Sequence, residues 1–241
     1  MTGTLYVVAT PIGNLEDITY RAVRILREVA IIAAEDTRHT QRLLRRYNIN
    51  ALLTSYHDFN KEAKTPVLIS RMQEGDSIAI VSDAGTPTIS DPGYYLIKAA
   101  VLEGLCVSPI PGPSSAIAAL SASGLPTDRF AFEGFLPRKK GKRATRLLYL
   151  LTDPRTLIFF ESPYRIRALL EEISSIFGDR RVAVGRELTK IYEEMIYGTI
   201  TEVIEKIGSR KLKGEITILI EGYHEKKKGI PGFLDIEVPE E

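Results

Sequence analysis

Residues 78–103 hold the feature that most narrows the folds open to this chain. An all-apolar run, Ile78-Ala79-Ile80-Val81, stops abruptly at a long polar loop, and a helix-like segment, Tyr94–Glu103, follows. The loop from Ser82 to Gly93 is dense in Gly, Pro, Asp, Ser and Thr. A plain connection takes about two to six residues. This one is roughly twice as long, and it exposes backbone and small hydroxyls. After a strand's carboxyl end in an alternating strand–helix chain, such a loop is where ligands bind.

The same alternation runs through the first half. Strands are predicted at Leu5–Ala9, Ala30–Ala34, Ile78–Ser82 and Cys106–Ile110, with helices at Asp17–Glu28, Thr37–Tyr47 and Lys61–Glu74 between them. This is an α/β pattern with a mainly parallel sheet. Asp17 is the expected N-cap of the first helix, and Asp36 or Thr37 of the second. Gly75 and Gly104 stand where helices should stop. The pattern changes at Pro111-Gly112-Pro113. Beyond it, a helix is expected at Ser114–Ser121 and strands at Leu157–Phe160, Val182–Gly185, Glu194–Gly198 and Ile216–Ile220. Further helices are expected at Arg143–Leu151, Tyr164–Phe177 and Glu202–Ser209, so the second sheet should be mixed. The reading is two α/β domains, 1–110 and 111–222, with a cleft between them, and a mobile tail over 223–241.

Bulk properties exclude several classes. The net charge of +1 across 241 residues means that nucleic-acid binding must come from local patches. The single cysteine, Cys106, rules out an internal disulfide, fits a reducing compartment and is expected in a buried strand. No signal peptide is visible, and no apolar run approaches a membrane span. A cytoplasmic protein without membrane contact is expected. Three histidines, His39, His57 and His224, and one cysteine make no zinc pattern, so no metal is expected.

Three loops follow strands: Thr10-Pro11-Ile12-Gly13-Asn14, the 82–93 loop, and Pro111-Gly112-Pro113-Ser114-Ser115. None carries the dinucleotide fingerprint or the P-loop lysine motif. Prolines remove donors and stiffen these loops, and glycines let a ligand approach backbone. One local tract is strongly basic. Residues 138–146 read Arg-Lys-Lys-Gly-Lys-Arg-Ala-Thr-Arg, six basic residues of nine, with no acid between Glu133 and Asp153. Arg138, Lys139, Lys140, Lys142, Arg143 and Arg146 form a phosphate-binding candidate. A second basic face carries Arg38, Arg42, Arg45 and Arg46. For a general base the reading favours His57 or Asp58, in a polar loop after Ala51-Leu52-Leu53. Glu35, Asp36 and Arg38 stand at a strand's end and are candidates to line an acceptor trough, as are Glu133, Arg186 and Glu187. Each of these also fits a cap or a surface ion pair.

Several long motifs carry a resemblance. Val7-Val8-Ala9-Thr10-Pro11-Ile12-Gly13-Asn14-Leu15, Glu35-Asp36-Thr37-Arg38, Ser55-Tyr56-His57-Asp58, and the stretches Ser82 to Gly93 and Pro111 to Ser115 belong to it. So do Ser123 through Pro137 and Glu161-Ser162-Pro163-Tyr164-Arg165. Together, over roughly residues 5–222, they resemble the ribosomal RNA small-subunit methyltransferase I family of the tetrapyrrole-methylase-like fold. The resemblance implies two α/β domains holding S-adenosylmethionine in the cleft between them. It implies methylation of a cytidine ribose 2′-hydroxyl in the decoding region of small-subunit rRNA, and a homodimer. Cofactor contacts are then expected on Asp83, Ala84, Gly85, Thr86, Ser114 and Ser115, and further ones on Pro11, Phe160, Leu188 and Ile216. Family members often carry a small C-terminal extension, whereas this chain stops at Glu241. The alternatives are a methyltransferase of the same fold acting on a tetrapyrrole or a protein side chain, a non-catalytic ribosome-binding protein, and, more remotely, a nucleotide-phosphate hydrolase.

Overall fold

The computed structural model describes residues 2–224. In the first half, β1 (Thr4–Val8), β2 (Ile31–Ala34), β3 (Leu52–Ser55), β4 (Ile78–Val81) and β5 (Cys106–Ile110) form a parallel sheet in the order β3-β2-β4-β1-β5. Successive strand residues point to opposite faces. Thus Ile32, Ala34, Ala79 and Val81 meet the apolar stripes of α1 (Tyr20–Glu28) and α2 (Thr37–Arg46). Ile31, Ala33, Ile78 and Ile80 meet α3 (Lys61–Gln73) and α4 (Tyr94–Leu102). A sheet buried on both faces needs near-continuous apolar strands, which is why these runs stood out in the sequence.

The second half is a mixed sheet of β6 (Phe130–Phe135), β7 (Thr156–Glu161), β8 (Arg181–Arg186), β9 (Glu194–Thr199) and β10 (Ile216–Ile220), in the order β6-β7-β10-β8-β9. Only β6 and β7 are parallel to each other; the other pairs run antiparallel. One face packs on α6 (Lys140–Leu150), α7 (Ile166–Phe177) and α8 (Ile200–Ile207). The other face packs on α5 (Ser115–Ser121), whose Ala116, Ala119 and Leu120 lie against Ile158, Ala183 and Leu219. Small side chains let this helix sit close to the strands.

Several expectations are corrected. The first helix begins at Tyr20 and is capped by Thr19, whose side chain accepts from the Ala22 N–H; Asp17 instead ends a 3₁₀ turn, Leu15–Asp17. Asp36 does cap α2, accepting from the Arg38 N–H at 2.8 Å. Cys106 is exposed rather than buried, because β5 is an edge strand and Cys106 opens it. The short β3 and the bulged β6 were not among the expected strands. Apart from Tyr223 and His224, the expected tail lies outside the described residues.

Candidate active site

The loops after β1 and β4 are zipped together. Thr10 and Gly85 exchange backbone hydrogen bonds at 2.9 and 3.0 Å, and Thr10 Oγ1 donates to the Ser82 carbonyl at 3.1 Å. Gly85 makes this possible at φ +82°, a left-handed conformation open to glycine. Thr88 and Ser90 adopt φ +75° and +66° in the same loop, and Glu187 and Thr189 +50° and +65° in the loop after β8. Such backbone is costly for residues with a Cβ and clusters at functional sites. A second tie runs between β2 and β4, where the Asp36 N–H donates to Asp83 Oδ1 at 3.0 Å.

These loops open onto a cleft of about 470 Å³ between the two sheets, within the size range of small-molecule sites. The first half supplies an acidic wall: Glu35, Asp83 and Asp91, with Ala84, Gly85 and Thr86 beside them. Ser114 and Ser115 stand at the start of α5, where Thr86 Oγ1 donates to the Pro113 carbonyl at 3.3 Å. The second half supplies an apolar floor of Phe135, Phe160, Leu188 and Ile216. Phe160 is held edge-on by Phe132 and Phe135, with ring centroids 4.9 and 5.6 Å away. Glu161 and Glu215 complete the rim. Glu161 is tied to Arg165, and Glu215 to Lys190 at 3.2 Å.

The carboxylates of the wall crowd one another. Burial, and then the charges of Asp83, Asp91, Asp58 and Asp36, push Glu35 up to about 7. Burial also pushes Asp91 up to about 6; the nearby Ser82 hydroxyl opposes this, and the charges of Asp83 and Glu215 add to it. Asp36 goes the other way, because the Arg38 side chain holds it far below the usual carboxylate range. An acidic wall facing an apolar floor suits a ligand with a cationic centre and a flat, weakly polar body.

Asp83, Ala84, Gly85, Thr86, Ser114, Ser115, Phe160, Leu188 and Ile216 are all brought together in this cleft. Pro11 is not; it is buried just before Ile12, which does line the cleft. His57 and Asp58 also lie outside the lining. The His57 ring packs against Asn60, with Nδ1 buried and unpartnered, and Asp58 is exposed and paired with Lys61 at 2.8 Å. In the basic tract, Arg138, Lys139, Lys140 and Lys142 are exposed. Arg143 and Arg146 turn inward to Glu172 and Glu133, each at 2.6 Å. Arg38 is exposed but engaged by Asp36. Sequence reading singled out none of Asp91, Phe135, Glu161 and Glu215 as site residues, although the first three lie in motifs it marked. Glu161 stands at a strand's carboxyl end, a signal that could have found it, whereas Phe135 and Glu215 reach the cleft only through packing of the two sheets.

Fold and cleft together define a methyltransferase of the tetrapyrrole-methylase class. The family model for tetrapyrrole (corrin/porphyrin) methylases matches residues 4–204. The solved structure of uroporphyrin-III C-methyltransferase from Thermus thermophilus, complexed with S-adenyl homocysteine, shares the fold. It gives a TM-score of 0.62 at 20% identity, covering 90% of this chain and 97% of that one. Sequence likeness is much stronger to ribosomal RNA small subunit methyltransferase I. The protein of that name from Halalkalibacterium halodurans is 51% identical over 93% of this chain and 78% of its own length. That from Xylella fastidiosa is 50% identical over 91% and 82%. The chain belongs to the ribosomal RNA small subunit methyltransferase I family.

Proposed function

We propose that this protein transfers a methyl group from S-adenosylmethionine to the ribose 2′-hydroxyl of a cytidine in the decoding region of small-subunit rRNA. The observation that carries the reading is the agreement between family and cleft. About half the residues are shared with small-subunit rRNA methyltransferases, and the cleft's charge suits a cofactor of net positive charge. When bound, that cofactor supplies an activated methyl group on a sulfonium with a good leaving group. The chain's own residues must bind it and align the acceptor oxygen, and alignment supplies much of the acceleration. Asp83 and Asp91 would hold the cationic end, the 84–86 backbone and the Ser114 and Ser115 hydroxyls would offer polar contacts, and Phe160, Leu188 and Ile216 would receive the flat base.

The acceptor is an RNA held by phosphate contacts. Arg138, Lys139, Lys140 and Lys142 lie exposed around the first turn of α6, and this supports them as such contacts. Arg143 and Arg146 serve rather as braces for that helix. The same reading takes 1–110 and 111–222 as two domains, places the protein in the cytoplasm and makes it a homodimer. Among the described residues no helix is long and apolar enough to cross a membrane. Exposed Tyr94, Tyr95, Val101 and Leu102 on α4, with Val67 on α3, form an apolar face that a second copy would cover; sedimentation as a monomer would overturn that part.

The decisive experiment is methyl transfer from labelled S-adenosylmethionine to small ribosomal subunits lacking the modification, with the product nucleoside identified. The expected product is 2′-O-methylcytidine. Cofactor binding without transfer would favour a non-catalytic ribosome-binding protein, and transfer only to a tetrapyrrole or a protein would move the chain to another branch of the fold.

A further inference from the structure

We infer that Glu35 is the catalytic residue that accepts the proton of the acceptor hydroxyl. The inference rests on the reading of the cleft as the site of ribose methylation. Five carboxylates line the cleft, and three have partners within the fold. Asp83 accepts from the Asp36 N–H, Glu161 holds Arg165 and Glu215 holds Lys190, while Asp91 is assigned, with Asp83, to the cofactor's cationic end. Among the described residues Glu35 has neither a cation nor a hydrogen-bond donor.

Its position explains why. Glu35 directly follows β2, which lies between β3 and β4 in the sheet. The loop after β4 turns Asp83 and Asp91 toward it, the loop after β3 brings Asp58, and its own neighbour is Asp36. The charged groups that act most strongly on it, Asp83, Asp91, Asp58 and Asp36, are all anions. A carboxylate so placed holds a proton more tightly than a paired one. Its midpoint near 7 matches the proton affinity that general-base catalysis at neutral pH calls for. His57, the residue type most often used as a base, lies outside the cleft lining.

The step balances as follows. The hydroxyl proton passes to a Glu35 carboxylate oxygen. An electron pair of the ribose oxygen forms the new bond to the methyl carbon. The carbon–sulfur bond breaks, and its pair remains on sulfur, which becomes a neutral thioether. Glu35 then returns the proton to water.

Two measurements test this. In the free protein, carbon-13 NMR titration of glutamate carboxyls, with the Glu35 signal assigned by its loss in Glu35→Gln, should show a midpoint near 7; an ordinary carboxylate midpoint would overturn the inference. On small ribosomal subunits at saturating cofactor, Glu35→Gln should lower kcat about a hundredfold to ten-thousandfold, far more than it weakens cofactor binding in calorimetry. It should also flatten the rise of kcat/KM with pH, and Glu35→Asp should recover part of the rate. Wild-type turnover and pH profile in Glu35→Gln would overturn the assignment. A loss confined to cofactor affinity would also overturn it, making Glu35 a cofactor ligand. A wild-type protein that binds cofactor but transfers nothing to the subunit would overturn the functional reading itself, and this assignment with it.

Discussion

At Gly85 the backbone holds φ +82°, and a Cβ there would stand 3.4 Å from Ile12 Cγ2. Space is adequate but the conformation is not, so Gly85→Ala should cost about 1 kcal/mol in chemical denaturation, the penalty for left-handed backbone. Asp83 has a double position: it accepts the Asp36 N–H and faces the cleft. Asp83→Ala should weaken S-adenosylmethionine binding in calorimetry, and an unchanged Kd would remove Asp83 from the cofactor site. Arg143 shows how residue type can mislead. By sequence it belongs to a phosphate-binding tract. In the fold it is largely buried and donates to Glu172 Oε2 at 2.7 Å. Arg143→Ala would strand that carboxylate, and it should destabilise the protein by about 3 kcal/mol, the order found when a buried pair loses one partner. The loop residues were legible because Gly, Pro, Asp and Ser act on their own backbone; the partner of an arginine 29 residues from its glutamate was not.

Helix α6 begins at Lys140, three residues earlier than its sequence suggested, with Lys139 as its N-cap. The earlier start puts Lys139, Lys140 and Lys142 at the helix end that favours anions. Their repulsion is relieved when phosphate approaches the same end. Replacing all three with alanine should therefore raise the melting temperature slightly while weakening RNA binding and flattening its salt dependence, about 0.7 to 0.9 in slope per lost phosphate contact. Unchanged binding with an unchanged slope would make the tract ordinary solvated surface. Helix α8 shows the opposite, local design: Thr199 and Glu202 form a reciprocal capping box. Thr199→Ala should cost about 1 kcal/mol in denaturant unfolding. Strands β3 and β6 escaped the sequence reading for a physical reason. One is a short, half-exposed edge, and the other carries a bulge between Phe132 and Gly134, so neither shows a continuous apolar run or a clean alternation.

For the whole molecule, the acidic cleft couples pH, stability and cofactor binding. Glu35 and Asp91 hold their protons in the fold up to about 7 and about 6, against ordinary values of 4.5 and 3.8. Between those limits the folded protein binds more protons than the unfolded chain, so stability falls as pH rises. The stabilisation is complete below the ordinary values and is lost as pH passes through the folded ones. Glu194, held low by Arg210 and Arg186, works in the opposite sense and loses its contribution only in acid. The melting temperature of the ligand-free protein should thus decline from about pH 5 to about pH 8, and less steeply in Glu35→Gln. A cationic cofactor reverses the balance, favouring the ionised acids; its affinity should rise over the same interval, with protons released in calorimetry across buffers of different ionisation enthalpy. The strand–helix alternation and the long loops at strand ends were readable from the chain alone, because they follow from local periodicity and backbone chemistry; cleft residues such as Phe160, Leu188 and Ile216 were expected only through the resemblance to a known family. Which carboxylates are left unpaired, which arginines are neutralised and that His57 lies outside the cleft lining emerged only from tertiary packing. Those outcomes depend on through-space distances between segments far apart in the chain, and the chain's local chemistry does not encode such distances in any readable pattern.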